Sequence, residues 1–256
     1  MENSAHLSAE LPRAVSRGQI TAHYQPQFDV DSGEIVAVET LARWTHPKFG
    51  AVAPSLFIPL AEDLGLIDEL GDHMIGLGCD AARDWQRRGR AIEVAVNVSA
   101  LQLADPDFAR RLLRAVEQHQ LSPRLLTIEV TESAEILDVS VVAERLDWLR
   151  SVGVTISVDD FGTGHSSVEQ VLDLRATELK IDQSLVRDES AAARTLLAAV
   201  VTFAHDKGLR VVAEGVETES QLMRVRELRC DRAQGYLLGH PVEKTEIDRM
   251  LQAHDR

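Results

Sequence analysis

Acidic and amide side chains recur in one kind of place along this sequence, directly after a short run of β-branched or small apolar residues. Glu39 follows Val36-Ala37-Val38, Asn97 follows Val94-Ala95-Val96 and Glu129 follows Leu126-Thr127-Ile128. Asp159 and Asp160 follow Ile156-Ser157-Val158, Lys180 follows Glu178-Leu179, and Glu214 follows Val211-Val212-Ala213. With Glu132, Asp182 and Glu217 these stretches carry eight carboxylates against the two positive charges of Arg43 and Lys180. Two like unit charges 4 Å apart repel by about 4 kcal/mol even at an effective dielectric of about 20. Gathered in one place, such a set calls for divalent cations. All the donors are oxygens, which suits a hard ion such as Mg2+ or Mn2+ and not a thiolate zinc site. The adjacent pair Asp159-Asp160 lets one carboxylate bridge two ions about 3.5–4 Å apart while its neighbour holds the second, an arrangement that usually cuts phosphoesters.

Each residue alone has a plainer reading. Glu39 and Arg43 could form a strand-end salt bridge, Asn97 could satisfy a loop backbone, and Asp160 to Gly164 could be a turn with permissive glycines. Lys180 or Asp182 could be paired structurally, while His46, His165 and His240 lack a second histidine at metal-binding spacing. Taken jointly, the plain readings need seven independent coincidences.

The elements that must position these residues are legible from periodicity. Extended segments at Ile20 to Val30 and Glu34 to Leu41 flank the turn signal Asp31-Ser32-Gly33 and predict an antiparallel hairpin. Further short runs at Glu93 to Ser99, Leu126 to Val130, Val154 to Asp159, Glu178 to Ile181, Leu209 to Ala213 and Arg232 to Gln234 alternate with amphipathic helices. Asp105-Pro106 predicts a helix start before Phe108, Leu112, Leu113 and Val116. Leu137, Val141, Val142, Leu146 and Leu149 form a second apolar stripe, and Leu196, Leu197, Val200, Val201 and Ala204 a third. Thr218 with Gln221 fits a capping box. Eight strands in 256 residues suit a (β/α)8 barrel of α/β class with its first strand antiparallel. In such a barrel the carboxyl ends of the strands meet on a single rim, where active sites are built. One domain over residues 1–256 is expected, with 1–10 a loose extension.

Composition narrows the partners. With 27 basic against 41 acidic side chains, the net charge of −14 disfavours a nucleic acid polymer, which is held largely by phosphate neutralisation. Cys79 and Cys230 stand far apart with no metal-binding spacing, as in a reducing cytoplasm. The most apolar stretch, Leu196 to Ala204, is far short of the ~20 residues that span a bilayer, so no membrane association is expected.

Tyr24-Gln25-Pro26, Glu39-Thr40-Leu41-Ala42-Arg43, Phe57-Ile58-Pro59-Leu60-Ala61-Glu62, Asn97-Val98-Ser99, Glu129 to Ser133, Asp159 to Gly164, Leu179 to Asp182, Ala213 to Glu217 and Gln234-Gly235-Tyr236 follow in an order that resembles the EAL-domain phosphodiesterases of cyclic di-GMP. The resemblance covers Leu11 to Ile247. It implies hydrolysis of one phosphodiester bond to linear pGpG with two Mg2+ or Mn2+ ions; Ca2+, whose coordination is longer and looser, is expected to bind and inhibit. Carried over by position, Glu39, Asn97, Glu129 and Asp159 hold one ion, and Asp159 with Asp160 the other. Lys180 and Glu214 position or deprotonate the attacking water. Gln25, Leu41, Arg43, Asp182, Glu217, Gln234 and Pro241 contact the nucleotide or shape its site. Glu132 ties the loop of Phe161, Gly162, Thr163 and Gly164 to the metal centre. The family commonly dimerises near that loop and works with sensory or diguanylate cyclase domains.

Thr40 departs from the family's alanine, but alternation along a strand sends it off the pocket face. His165 replaces a tyrosine, and His240 stands where a basic residue often precedes Pro241. Two other functions compete. A receptor that binds cyclic di-GMP without cutting it would tolerate loss of the metal ligands, which are all present. In a two-carboxylate glycosidase the paired aspartates, the asparagine and the strand-end lysine would be superfluous.

Overall fold

A computed structural model of the protein describes residues 2–131, 139–163 and 168–253. Among these, nine strands form one sheet: β1 (Ile20–Asp29), β2 (Ile35–His46), β3 (Gly50–Val52), β4 (Glu93–Val98), β5 (Leu126–Thr131), β6 (Thr155–Phe161), β7 (Glu178–Ile181), β8 (Arg210–Ala213) and β9 (Arg232–Ala233). Their order is β1-β9-β8-β7-β6-β5-β4-β2-β3, and β1 also pairs with β2, so eight strands close into a barrel and β3 hangs on the outside of β2. β1 runs antiparallel to both of its neighbours, and the other barrel pairings are parallel. The expected hairpin is therefore the reversed first strand, and β2 runs five residues past its expected end, to His46.

The helices are α1 (Glu2–Glu10), α2 (Pro54–Asp63), α3 (Ile67–Arg87), α4 (Ala100–Ala104), α5 (Phe108–Gln118), α6 (Val139–Ser151), α7 (Val168–Asp173), α8 (Gln183–Arg187), α9 (Ala191–Asp206), α10 (Glu219–Glu227) and α11 (Lys244–Ala253). The capping box at Thr218 and Gln221 forms as expected. α5 starts later than Asp105-Pro106 suggests, because the Asp105 carboxylate accepts the Asp107 amide and so closes a turn ahead of the helix. Val142, Leu146 and Leu149 bury the inner face of α6, whereas Val141 stays exposed, as does Leu196 at the start of α9. The first ten residues, expected as a loose extension, are helical from Glu2, and Leu7 packs with Leu11, Trp44, Phe57 and Leu70 in a satellite core. None of the described helices is long and apolar enough to cross a membrane.

Alternation along the strands divides the barrel into two chemistries. Outward residues such as Val94, Val96, Ile128, Val158, Leu179 and Val211 join the main core between sheet and helices. The opposite positions are small or polar: Ala37, Ala95, Thr127, Ser157 and Val212 are buried but stand apart from that core. They separate a lower from an upper layer of charged residues.

Candidate active site

The lower layer lies at the amino ends of the strands and is balanced. Arg210 reaches Glu93 at 2.9 Å and Glu178 at 2.5 Å, and Arg232 reaches Glu93 at 2.6 Å. Burial would raise Glu93, but its bonds and charge pairing with Arg232 and Arg210 hold it below the ordinary carboxylate range. Two guanidiniums thus answer two carboxylates, in the paired geometry that buried charge requires.

The upper layer, at the carboxyl ends, is unbalanced. The Lys180 ammonium is wholly buried and lies 2.8 Å from Glu214, 3.1 Å from Glu129, 3.1 Å from Asp159 and 3.7 Å from Glu39. One cation therefore serves four carboxylates, with Asp160 a fifth beside them. Burial would lower Lys180, but these carboxylates hold it well above the ordinary lysine range. Burial pushes Glu129 well above the ordinary carboxylate range, with Glu39, Asp159 and Glu214 adding to the rise. Burial likewise raises Asp159, and pushes Glu214 up to about 8. Glu39 goes the other way. Burial would raise it, but Lys180 and the donors Gln234 and Asn97, at 2.7 and 2.9 Å, outweigh that effect.

Strand alternation alone would turn Asp160 away from Asp159. Instead Asp160 adopts φ +61° at a register shift in the β6 to β7 pairing. Aspartate tolerates this left-handed conformation better than most residues, and an irregularity of this kind can re-aim a side chain. The result is two groups of carboxylate oxygens, each lying within 4.8 Å of one another: Glu39, Glu129 and Asp159, and Asp159, Asp160 and Glu214. Asp159 is common to both. Burial and the charges of Asp159 and Asp182 push Asp160 up to about 6.

These residues fit divalent cations. The donors are all oxygens, and neither oxygen of the wholly buried Glu129 receives a hydrogen bond. Glu39, Asn97, Glu129 and Asp159 converge as expected, and the structure adds Glu214 to the pair Asp159 and Asp160. Arg43 does not join the cluster; its guanidinium donates to the Ala42 carbonyl.

Two cavities flank Glu39 and Leu41. The smaller, about 180 Å3, continues past Gln25, Gln234 and Glu214 to Gln183 and Arg187 on α8. The larger, about 360 Å3, runs between β2 and the α2 to α3 corner and includes Arg43, Glu62 and Ser99. Gln25 donates to the Gly239 carbonyl and accepts from Gln234. Thr40 faces away from the carboxylates, as alternation requires, and sits in the wall of the larger cavity.

Other expected site residues lie further out. Asp182 caps α8 by accepting the Ser184 amide, Glu217 pairs with Arg187 at 2.6 Å, and Pro241 offers its carbonyl to His23. Phe161 is buried in the main core, Gly162 has φ +111°, and Thr163 is exposed. Glu132, Gly164 and His165 lie outside the described residues. Sequence reasoning missed Gln183 and Arg187, and it quotes Glu62 and Ser99 within motifs without giving either a role. Arg187 is 30 residues from its partner Glu217, and Ser99 is 37 from Glu62, whose carboxylate it meets at 2.5 Å. No local spacing announces either contact.

Comparison with known proteins follows this geometry. The family model described as EAL domain matches residues 8–241. The bifunctional diguanylate cyclase/cyclic di-GMP phosphodiesterase MucR of Pseudomonas aeruginosa is 39% identical over 96% of this chain and 36% of its own length. The cyclic di-GMP phosphodiesterase NbdA of the same organism is 37% identical over 97% of this chain and 32% of its length. The oxygen sensor protein DosP of Escherichia coli is 37% identical over 94% of this chain and 30% of its length. The chain thus spans about a third of each of these relatives. A solved structure described as the PaMucR phosphodiesterase in complex with c-di-GMP superposes with TM-score 0.88 at 38% identity, covering 94% of this chain and 99% of that one.

Proposed function

The chain belongs to the EAL domain family, and from that premise we propose that it hydrolyses one phosphodiester bond of cyclic di-GMP to give linear pGpG, lowering the level of the messenger. The observation that carries this reading is the pair of carboxylate groups sharing Asp159 at the carboxyl rim, beside two cavities that meet at Glu39. Two Mg2+ or Mn2+ ions held there would neutralise charge on the phosphoryl oxygens and acidify the attacking water. Glu39, Asn97, Glu129 and Asp159 would hold one, and Asp159 with Asp160 the other, with Glu214 beside the second. The longer and looser coordination of Ca2+ would misplace the water and inhibit.

The remaining groups bind and orient. Arg43 sits in the larger cavity, where it suits an anionic substrate, and the two cavities would take the two nucleotide halves. Lys180 and Glu214 stand 2.8 Å apart; the ammonium would hold the water and the Glu214 carboxylate would take its proton. Glu217, Gln25 and Gln234 support the nucleotide side of the site. The complete ligand set disfavours a receptor that only binds.

Partnership with sensory or cyclase domains belongs to the same reading, supported by the greater length of the relatives, and a cytoplasmic location is proposed with it. So does a homodimer. Trp148 on α6, Val152 just after it and Leu172 on α7 leave apolar surface exposed on neighbouring elements. Sedimentation would test the dimer. Incubation with cyclic di-GMP and Mg2+ or Mn2+, followed by chromatography, tests the activity: pGpG is expected, and its absence with every metal would defeat the assignment.

A further inference from the structure

Asn97 stands where β4 gives out. On the β2 side the ladder ends at Val96, opposite Thr40, whereas on the β5 side it continues through Asn97 and Val98. The stretch that carries Asn97 is therefore tied by its backbone to one neighbour only, and side chains must fix the other side. The Asn97 Nδ2 donates to Glu39 Oε1 at 2.9 Å, so its Oδ1 is the atom left to meet a cation. Two residues on, Ser99 caps α4. Its hydroxyl oxygen accepts the Leu101 amide, and the Gln102 side chain accepts the Ser99 amide in return at 3.1 Å. A cap of this kind uses the serine oxygen as an acceptor and leaves its proton to be given elsewhere. Ser99 Oγ donates that proton to Glu62 Oε1 at 2.5 Å, the short length of a hydroxyl on a carboxylate. Glu62 comes from α2, whose Phe57 and Ala61 are wholly buried in the satellite core, so its carboxylate projects from an anchored helix. Gln102 is equally fixed: it is 1% exposed, and a Cβ on Gly71 of α3 would come within 2.1 Å of its Nε2.

We infer that Glu62 is a positioning residue for the first metal ion: through Ser99 it fixes the end of β4 and so aims the Asn97 Oδ1, an inference that rests on the two-ion reading of the rim. Glu62 lies outside both groups of converging carboxylates, so it acts through the serine and not as a ligand. The bond from Ser99 to Glu62 takes the place of the strand pairing that β2 withdraws after Thr40. Partners that orient a ligand from behind in this way typically contribute about 10–100-fold to metal affinity. Asn97 needs such support more than the carboxylates do. A neutral amide offers an ion one oxygen and no net charge, so a small swing of its backbone forfeits the contact, whereas the cluster's charge holds an ion near Glu39, Glu129 and Asp159 whatever their exact aim.

The test is calorimetric titration with Mn2+ in the absence of substrate, for the wild type, Glu62→Ala, Glu62→Gln, Ser99→Ala and the double variant Glu62→Ala/Ser99→Ala. Glu62→Ala should weaken Mn2+ binding at least about tenfold. Glu62→Gln keeps an acceptor for the Ser99 proton and should stay within about threefold of the wild type. Ser99→Ala should weaken binding at least as much as Glu62→Ala, and adding Glu62→Ala to it should cost no more than about twofold further, since one residue acts through the other. Ser99→Ala also loses the cap of α4; if it folds poorly, Glu62→Ala against Glu62→Gln decides alone. Hydrolysis of cyclic di-GMP at saturating Mn2+ supplies the second readout: its KM should change less in Glu62→Ala than the Mn2+ affinity does. Wild-type Mn2+ binding in Glu62→Ala would overturn the inference, as would equal losses in Glu62→Gln and Glu62→Ala or additive losses in the double variant. A rise in KM larger than the loss of Mn2+ affinity would overturn it too, making Glu62 a substrate contact. Failure of the wild type to bind Mn2+ would instead overturn the two-ion reading beneath it.

Discussion

The ammonium of Lys180 lies 2.8 Å from a carboxylate oxygen of Glu214, with the lysine side chain 1% exposed and the glutamate 16%. Lys180 comes from β7 and Glu214 from the end of β8, so the contact spans neighbouring strands at the rim. Because the same ammonium also meets Glu129 and Asp159 at 3.1 Å, it is the internal counter-charge of the whole cluster. Taking it away leaves buried carboxylates facing one another.

Lys180→Met should therefore destabilise the metal-free protein by about 3–5 kcal/mol, the usual cost of removing one partner from a buried ion pair. Added Mn2+ should restore most of that loss, since an external cation supplies the missing charge. Urea unfolding with chelator and with Mn2+ measures both. Equal stability of variant and wild type in chelator would show that the ammonium is not what holds the cluster together.

Metal binding should release protons. Burial and neighbouring charge push Glu129 and Asp159 up, Glu214 up to about 8 and Asp160 up to about 6, so the metal-free cluster as a whole retains protons that ions must displace. Ions bind the deprotonated form, and affinity should climb between pH 6 and pH 8 by up to about tenfold per unit for each proton displaced. The linkage to stability has the matching sign. A raised carboxyl pKa means the folded state binds more protons than the unfolded one, so Glu214 lowers metal-free stability as pH rises from the ordinary glutamate range towards 8. Calorimetric titration with Mn2+ at pH 7 in two buffers of different ionisation enthalpy gives the proton count. A count of zero would rule out the protonated site.

Glu39→Ala should abolish hydrolysis, whereas Thr40→Ala should change it by less than about tenfold, or ~1.4 kcal/mol of barrier. Glu39 receives donors from Asn97 and Gln234 inside the barrel. Thr40 lies on the other face, where a Cβ on Gly78 would come within 3.3 Å of its hydroxyl. Initial rates with metal content measured in parallel decide the matter: a dead Thr40→Ala that binds metal normally would place that residue in the machinery.

The same two residues show why much of this site is legible in sequence. A barrel strand sends alternate residues inward, and a carboxylate just past an apolar run has one place to go, the rim. Glu39, Asn97, Glu129, Asp159 and Glu214 follow that rule. Asp160 does not follow it, because its facing depends on a left-handed residue at a register shift, which alternation does not foretell. The balanced floor of Glu93, Glu178, Arg210 and Arg232 and the pair Arg187–Glu217 join distant residues. Their charges read individually as solvated surface. Helix faces were clearer than helix edges: Leu197, Val200 and Val201 are buried on α9, but Leu196 at the margin of that stripe is 51% exposed.

Glu214→Gln should lower kcat at least about a hundredfold while cyclic di-GMP still binds, as calorimetry in the presence of Ca2+ would show. Its carboxylate sits beside Lys180 in the second carboxylate group, where it bears on the water more than on the nucleotide. Removal of a group that acts only in the transition state lowers kcat, and general acid–base groups typically contribute ~10²–10⁴. A variant with normal kcat and raised KM would make Glu214 a substrate contact instead.

Asp160 separates the two halves of the acidic cluster, because it belongs to the second carboxylate group and not the first. Asp160→Asn keeps a residue that tolerates φ +61° and should leave the fold intact while lowering Mn2+ stoichiometry from two ions to one. Asp160→Val should do the same to the metal and also destabilise the protein by about 1–3 kcal/mol, since a β-branched residue is strained in the left-handed region. Calorimetry for stoichiometry and thermal unfolding in chelator distinguish the two effects. Two bound ions in Asp160→Asn would mean that Asp159 and Glu214 suffice for the second site, and equal stability of the two variants would mean that the β6 to β7 irregularity relaxes when the aspartate is gone.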